Sequence, residues 1–98
     1  MVVFVCSPYG GKRVNLKRAI DYCLAEIDMG NVPFAPHLLY PQMLDEATDR
    51  QLGIDMGIEM LQRCDELHVW GGEITPGMQQ EINAAEHMVI PVVIMEVQ

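Results

Sequence analysis

Five apolar residues in a row, Val2-Val3-Phe4-Val5-Cys6, stand at the start of the chain and give way to Ser7-Pro8-Tyr9-Gly10-Gly11. A continuous β-branched and aromatic run of this kind predicts a strand buried on both faces, as in parallel sheets. From residue 14 to 29 the period changes. Leu16, Ile20, Cys23, Leu24 and Ile27 recur at helical spacing, and Gly30-Asn31 supplies the stop. Residues 32–35 read as a second short strand, broken by Pro33 and closed by Pro36. Residues 37–46 carry Pro41 and no clear period, which predicts a loop with one helical turn. Thr48 or Asp49 can cap a second helix running to about residue 63. Alternation returns in Asp65-Glu66-Leu67-His68-Val69-Trp70, a third strand ended by Gly71-Gly72. Thr75-Pro76 pairs an N-cap with proline at the first helical position, so a third helix runs from there to near His87. Residues 89–97, nearly all apolar, read as the last strand.

Strands alternating with helices imply right-handed crossovers and helices on both faces of a parallel sheet. The expected class is therefore α/β: a three-layer Rossmann- or flavodoxin-like domain over residues 1–98, with a short four-stranded sheet in the order 2-1-3-4. Its switch point lies between strands 1 and 3, where ligands bind outside the carboxyl ends of the strands. The glycine turns after Cys6 and Trp70 meet there.

Composition narrows the partners. Half of the 98 residues are hydrophobic and 20% are charged, which fits a globular chain with a core. So short a chain buries a modest share of its surface, and a homodimer or higher homo-oligomer is expected. The formal net charge is -8, and four of the six basic residues, Lys12, Arg13, Lys17 and Arg18, cluster in one stretch. Polynucleotide binding, which needs a cation per phosphate contact, is not expected; a small anion near that stretch is. The three cysteines, Cys6, Cys23 and Cys64, are widely spaced without a C-x-x-C pair and read as reduced, packed thiols. The N-terminal apolar run is too short and lacks the basic flank of a signal peptide. Nothing approaches membrane-spanning length, so a cytoplasmic location is expected.

Candidate chemistry sits at the strand ends. The glycines of the Ser7–Gly11 turn let backbone approach a ligand, and the helix start beyond favours an anion. The turn matches neither a dinucleotide fingerprint nor a P-loop, and no cofactor is expected. Glu81 lies in the second turn of the helix after strand 3, placed to act as nucleophile or general base; a solvated helix glutamate is the bland alternative. Asp55 and Glu59, one turn apart on helix 2, can supply an acid partner or simply face solvent. Gly53 and Gly57 recur at the same spacing at a cost of roughly 1 kcal/mol each. A close approach to the sheet, to a ligand or to a second subunit would explain that cost. Of three histidines only His37, after strand 2, is placed to reach the pocket, and no metal site is expected.

Four segments together resemble the nucleoside 2-deoxyribosyltransferase superfamily, in particular its short bacterial and phage members. They are Ser7-Pro8-Tyr9-x-Gly11, Ala35-Pro36-His37-Leu38 with Pro41-Gln42, Cys64-Asp65-Glu66-Leu67-x-Val69, and Gly77-Met78-x-x-Glu81-Ile82. The resemblance implies cleavage or exchange of the N-glycosidic bond of a (deoxy)nucleoside or its 5′-monophosphate, through a glycosyl ester on a helix-borne glutamate. Glu81 falls on that glutamate, Tyr9 where some members orient it, and Asp55 approximately on the Asp that helps protonate the departing base. Thr75 falls on a phosphate-binding serine and Gly77 on the motif's glycine, with Met78 beside it. Ser7, Gly10, Gly11 and His37 would hold sugar or phosphate. The alternatives are a non-catalytic nucleotide or nucleotide-sugar binder using the same pocket, and an interaction module whose glycine-faced helix 2 builds an oligomer.

Overall fold

The strand and helix periods map onto seven elements in a computed structural model, which describes residues 1–95. They are β1 (Val2–Cys6), α1 (Arg13–Asp28), β2 (Val32–Phe34), α2 (Arg50–Leu61), β3 (Glu66–Val69), α3 (Pro76–His87) and β4 (Val92–Ile94). Two short 3-10 turns, Pro36–Leu38 and Tyr40–Gln42, stand where one helical turn was expected. The sheet is parallel throughout and runs β2-β1-β3-β4, the order expected from the sequence.

Residues of β1 alternate between the two faces, and both faces are covered. Phe4 and Cys6 join Leu67 and Val69 against Leu61 of α2 and Met78, Ile82 and Ala85 of α3. Val5 points the other way, to Ala35 and Trp70, with Tyr22 and Cys23 of α1 packed on them. The Tyr22 and Trp70 rings stack at 5.1 Å and 15°. Pro33 is tolerated because β2 is an edge strand.

The rotation of α1 differs from what its apolar period suggests. Ala19 and Glu26 are its buried residues, while Ile20, Leu24 and Ile27 stay about half exposed (48%, 53% and 54%). The physical reason is a polar cluster under the helix. Glu26 Oε2 accepts from His68 Nδ1 (2.6 Å) and Trp70 Nε1 (3.0 Å), and its Oε1 accepts from Asn31 Nδ2 (2.9 Å). His68 Nε2 reaches Glu66 Oε1 at 2.8 Å. A buried carboxylate with every bond made can replace an apolar side chain in a core, and here it turns the helix to face the sheet.

The last strand is also shorter than its apolar run. Helix α3 closes with Val89 N donating to Glu86 O and Ile90 N to Ala85 O. Val89 takes a left-handed φ of +60°, so residues 89–91 form the helix exit and the strand begins at Val92. Residues 96 and 97 of the expected strand lie outside the described residues.

Two strand-end turns touch at the carboxyl edge. Trp70 N donates to Cys6 O at 2.9 Å. Gly71 adopts φ +103°, and a Cβ there would stand 2.7 Å from Pro8 Cδ. Only glycine fits so close an approach. Among the described residues no helix is long and apolar enough to cross a membrane.

Candidate functional site

A pocket of about 590 Å³, its open mouth included, lies over the carboxyl ends of the strands. The turn after β1 contributes Ser7, Tyr9 and Gly10; the segment after β2 contributes Pro36, His37, Tyr40, Pro41, Leu44, Glu46 and Asp49. Helix α2 adds Arg50, Gly53 and Ile54, and the start of α3 adds Thr75, Gly77, Met78 and Glu81.

Glu81 is the buried charge of the pocket, 3% exposed. Its helix is started by Thr75, whose Oγ1 accepts from Met78 N at 3.3 Å. One turn later the Glu81 side chain turns inward, where its Oε1 accepts the Cys6 thiol hydrogen at 3.2 Å. Burial pushes the Glu81 carboxyl up to about 7, with the Cys6 donation acting in the opposite direction. Burial, and then the Glu81 charge, push the Cys6 thiol up, so Cys6 keeps the hydrogen it donates.

The glycines of α2 make room for this arrangement. A Cβ on Gly57 would lie 3.3 Å from Pro36 Cβ and 3.8 Å from Glu81 Oε2, and one on Gly53 would lie 3.6 Å from Leu44 Cδ1. Of the close approaches that would explain their cost, the structure shows one to the loop after β2 and to the site.

Ser7 is buried, and its Oγ has no hydrogen-bond partner among the described residues. Its carbonyl accepts from His37 Nε2 at 2.5 Å. Because a carbonyl can only accept, Nε2 carries the hydrogen. Burial lowers the His37 pKa, the bond to Ser7 opposing it. The Tyr9 ring stacks on His37 at 5.2 Å and 20°, and Asn15 Nδ2 holds the Tyr9 carbonyl at 2.7 Å. Burial, and then the charge of Glu46, raise the Tyr9 hydroxyl.

Ser7, Tyr9, Gly10, His37, Thr75, Gly77, Met78 and Glu81 thus come together around one pocket. Three candidates do not. Asp55 is exposed and accepts from Gln51 Nε2 at 2.9 Å, outside the pocket lining. Helix α2 turns Gly53 and Ile54 to the site, and the next residue points about 100° further round. Glu59, on the same outer face, is also exposed and bonds Gln62. Gly11 is exposed at φ +74° and packs toward the Glu46 side chain rather than lining the pocket.

Sequence reasoning missed Cys6 as the partner of Glu81, and the charged mouth of Glu46, Asp49 and Arg50. Glu46 and Arg50 pair at 3.5 Å, and Asp49 Oδ2 accepts from Asp45 N at 3.1 Å. The four-residue spacing of both pairs was the available signal.

The fold is similar to a solved structure of a 2-deoxyribosyltransferase from Bacillus psychrosaccharolyticus, described as a biocatalyst for the synthesis of antiviral and antitumoral nucleosides. The match has a TM-score of 0.71 at 18% identity and covers 100% of this chain and 77% of that one. At such identity the likeness is one of fold. No match is found among curated proteins. Residues 1–95 match the DUF7768 family, described as a domain of unknown function, and the chain belongs to that family.

Proposed function

We propose that this pocket cleaves or transfers the N-glycosidic bond of a (deoxy)nucleoside or its 5′-monophosphate, with Glu81 as the nucleophile. The observation that carries the reading is Glu81 itself, a buried carboxylate at a pocket wall, fixed by a single thiol donor. The shared fold with a 2-deoxyribosyltransferase supports it.

In this reading a Glu81 carboxylate oxygen forms an ester bond to the anomeric carbon as the bond from that carbon to the base nitrogen breaks. The base leaves with the electron pair and takes up a proton. Water or a second base then opens the ester and restores the carboxylate. With Asp55 outside the pocket, the departing base takes its proton from water, and Asp49 and Glu46 are the other carboxyl groups of the lining. Ser7 Oγ, free of protein partners, serves a ligand hydroxyl or phosphate, and the stacked Tyr9–His37 pair offers an aromatic surface to the base.

A second reading, a nucleotide or nucleotide-sugar binder without turnover, is favoured by the displacement of Asp55. One experiment separates them. The protein is incubated with a panel of nucleosides and 5′-monophosphates, with free base read by chromatography and binding by thermal shift. Base release that Glu81→Gln abolishes, with the fold intact, supports the enzyme; stabilisation without release supports the binder. Base release by Glu81→Gln at the wild-type rate refutes the assignment of Glu81.

A further inference from the structure

We propose that the outer face of α1 is a docking surface for a second copy of this chain, the two α1 helices packing antiparallel about a two-fold axis near Ile20 and Leu24. Three observations lead there. Ile20, Leu24 and Ile27 form an apolar stripe that the fold leaves about half exposed, with Leu16 and Cys23 half-buried along its edge. Monomer packing does not use this stripe, because α1 is held to the sheet by Ala19, Tyr22 and Glu26 on its other side.

The charges of the helix supply the orientation. Its first half carries Arg13, Lys17 and Arg18, and its outward-facing acids, Asp21 and Asp28, fall in the second half. The first turn holds no acid and the last turn no base, so the charges run against the helix dipole. An antiparallel partner reverses that mismatch by bringing each basic half beside an acidic one. Lys17 and Asp28 are both exposed, and eleven residues of helix leave them about 20° apart around the axis, on the same flank of the stripe. A two-fold axis through the Ile20–Leu24 region keeps that flank on one side of the pair and sets Lys17 level with the partner's Asp28.

The surface also sets the strength. A sixteen-residue helix is about 24 Å long and about 10 Å wide, a patch of a few hundred Å² per copy. That is well below a standard specific interface, so a weak dimer with a dissociation constant of tens of micromolar is expected. The inference does not depend on the activity proposed for the pocket.

Sedimentation equilibrium of the intact chain from about 1 to about 300 µM brackets that constant. A concentration-dependent monomer–dimer equilibrium is expected. Leu24→Lys, at a half-exposed position, should abolish it with an unchanged circular dichroism spectrum. Lys17→Asp and Asp28→Lys should each weaken the dimer about tenfold, and the double variant should recover the wild-type constant. Within one helix the two residues are about 16 Å apart, so recovery reports contact between copies. A monomer at all concentrations, a dimer indifferent to Leu24→Lys, or charge variants whose effects add without recovery would each overturn the proposal.

Discussion

Replacing Glu81 by Gln should change the stability of this protein in a way that depends on pH. The carboxyl has a pKa of about 7 in the folded chain against 4.5 for an unperturbed glutamate. A raised folded-state value means that the folded protein binds the proton more tightly than the unfolded chain does. The stabilisation is therefore complete below about pH 4.5 and is lost as pH rises through about 7. At about 1.4 kcal/mol per pH unit, the displacement is worth about 3 kcal/mol, a large part of a small domain's stability. Gln keeps the shape and an oxygen for the Cys6 thiol but cannot ionise. Glu81→Gln should thus match the wild type near pH 4 and exceed it by about 3 kcal/mol near pH 8.5. Urea unfolding followed by the fluorescence of Trp70, buried against Tyr22, measures both. Comparing the two proteins at each pH cancels the titration of every other group. Parallel stability profiles from pH 4 to 8.5 would falsify the account of Glu81 as a carboxyl strained by burial. If Glu81 is also the nucleophile, base release should rise with pH through about 7 while stability falls, since attack needs the ionised form.

Three other substitutions test separate parts of the structure. Glu26→Ala strands donors from His68, Trp70 and Asn31 beneath α1 and should cost about 3–5 kcal/mol in the same unfolding assay, whereas a loss below about 1 kcal/mol would mean the cluster holds little. Ser7→Ala removes a buried hydroxyl that lacks a protein partner, so stability should stay level or rise by about 1 kcal/mol while nucleoside binding, read by calorimetry, weakens; equal losses in both would contradict the assignment. Val89→Gly relieves a left-handed β-branched residue at the exit of α3. Allowing for the extra entropy of glycine in the unfolded chain, a gain of about 0.5–1 kcal/mol in unfolding free energy is expected, and a loss would show that the exposed valine is not strained.

Much of the architecture could be read from the sequence because periodicity and turn chemistry agreed. The Val2–Cys6 run, the Thr75-Pro76 start and the glycine stops placed the strands and helices other than β4 within a residue or two, and the sheet has the expected order. The failures have one physical source, which is that local pattern does not show what a side chain meets across the fold. The apolar period of α1 pointed to the wrong face because Glu26 finds three donors that are distant in sequence or outside the helix. The start of β4 was hidden because the exit of α3 runs on through Val89, a valine in the left-handed position that glycine commonly marks. At the site, Asp55 had the right residue type on the right helix, yet one residue of rotation put it outside. Cys6 could be identified only as a strand residue, since its partner lies 75 positions away.

The two buried carboxylates separate a structural acid from a candidate functional one. Glu26 is fully covered, and both its oxygens accept from nitrogen donors, so its burial is compensated within the fold. Glu81 is nearly as buried but holds only a thiol hydrogen, a weak donor, and its ionisation is displaced accordingly. Around it gather further local costs: glycines at 53 and 57 in a helix, and a buried Ser7 hydroxyl with no protein partner. Those at Ser7 and Gly53 would be removed by an alanine and that at Glu81 by a glutamine, whereas Gly57 leaves too little room beside Pro36 for a side chain. In the reading proposed for this pocket, these costs persist because they converge on the place where a ligand is held, and that is where the unfavourable local choices of this sequence gather.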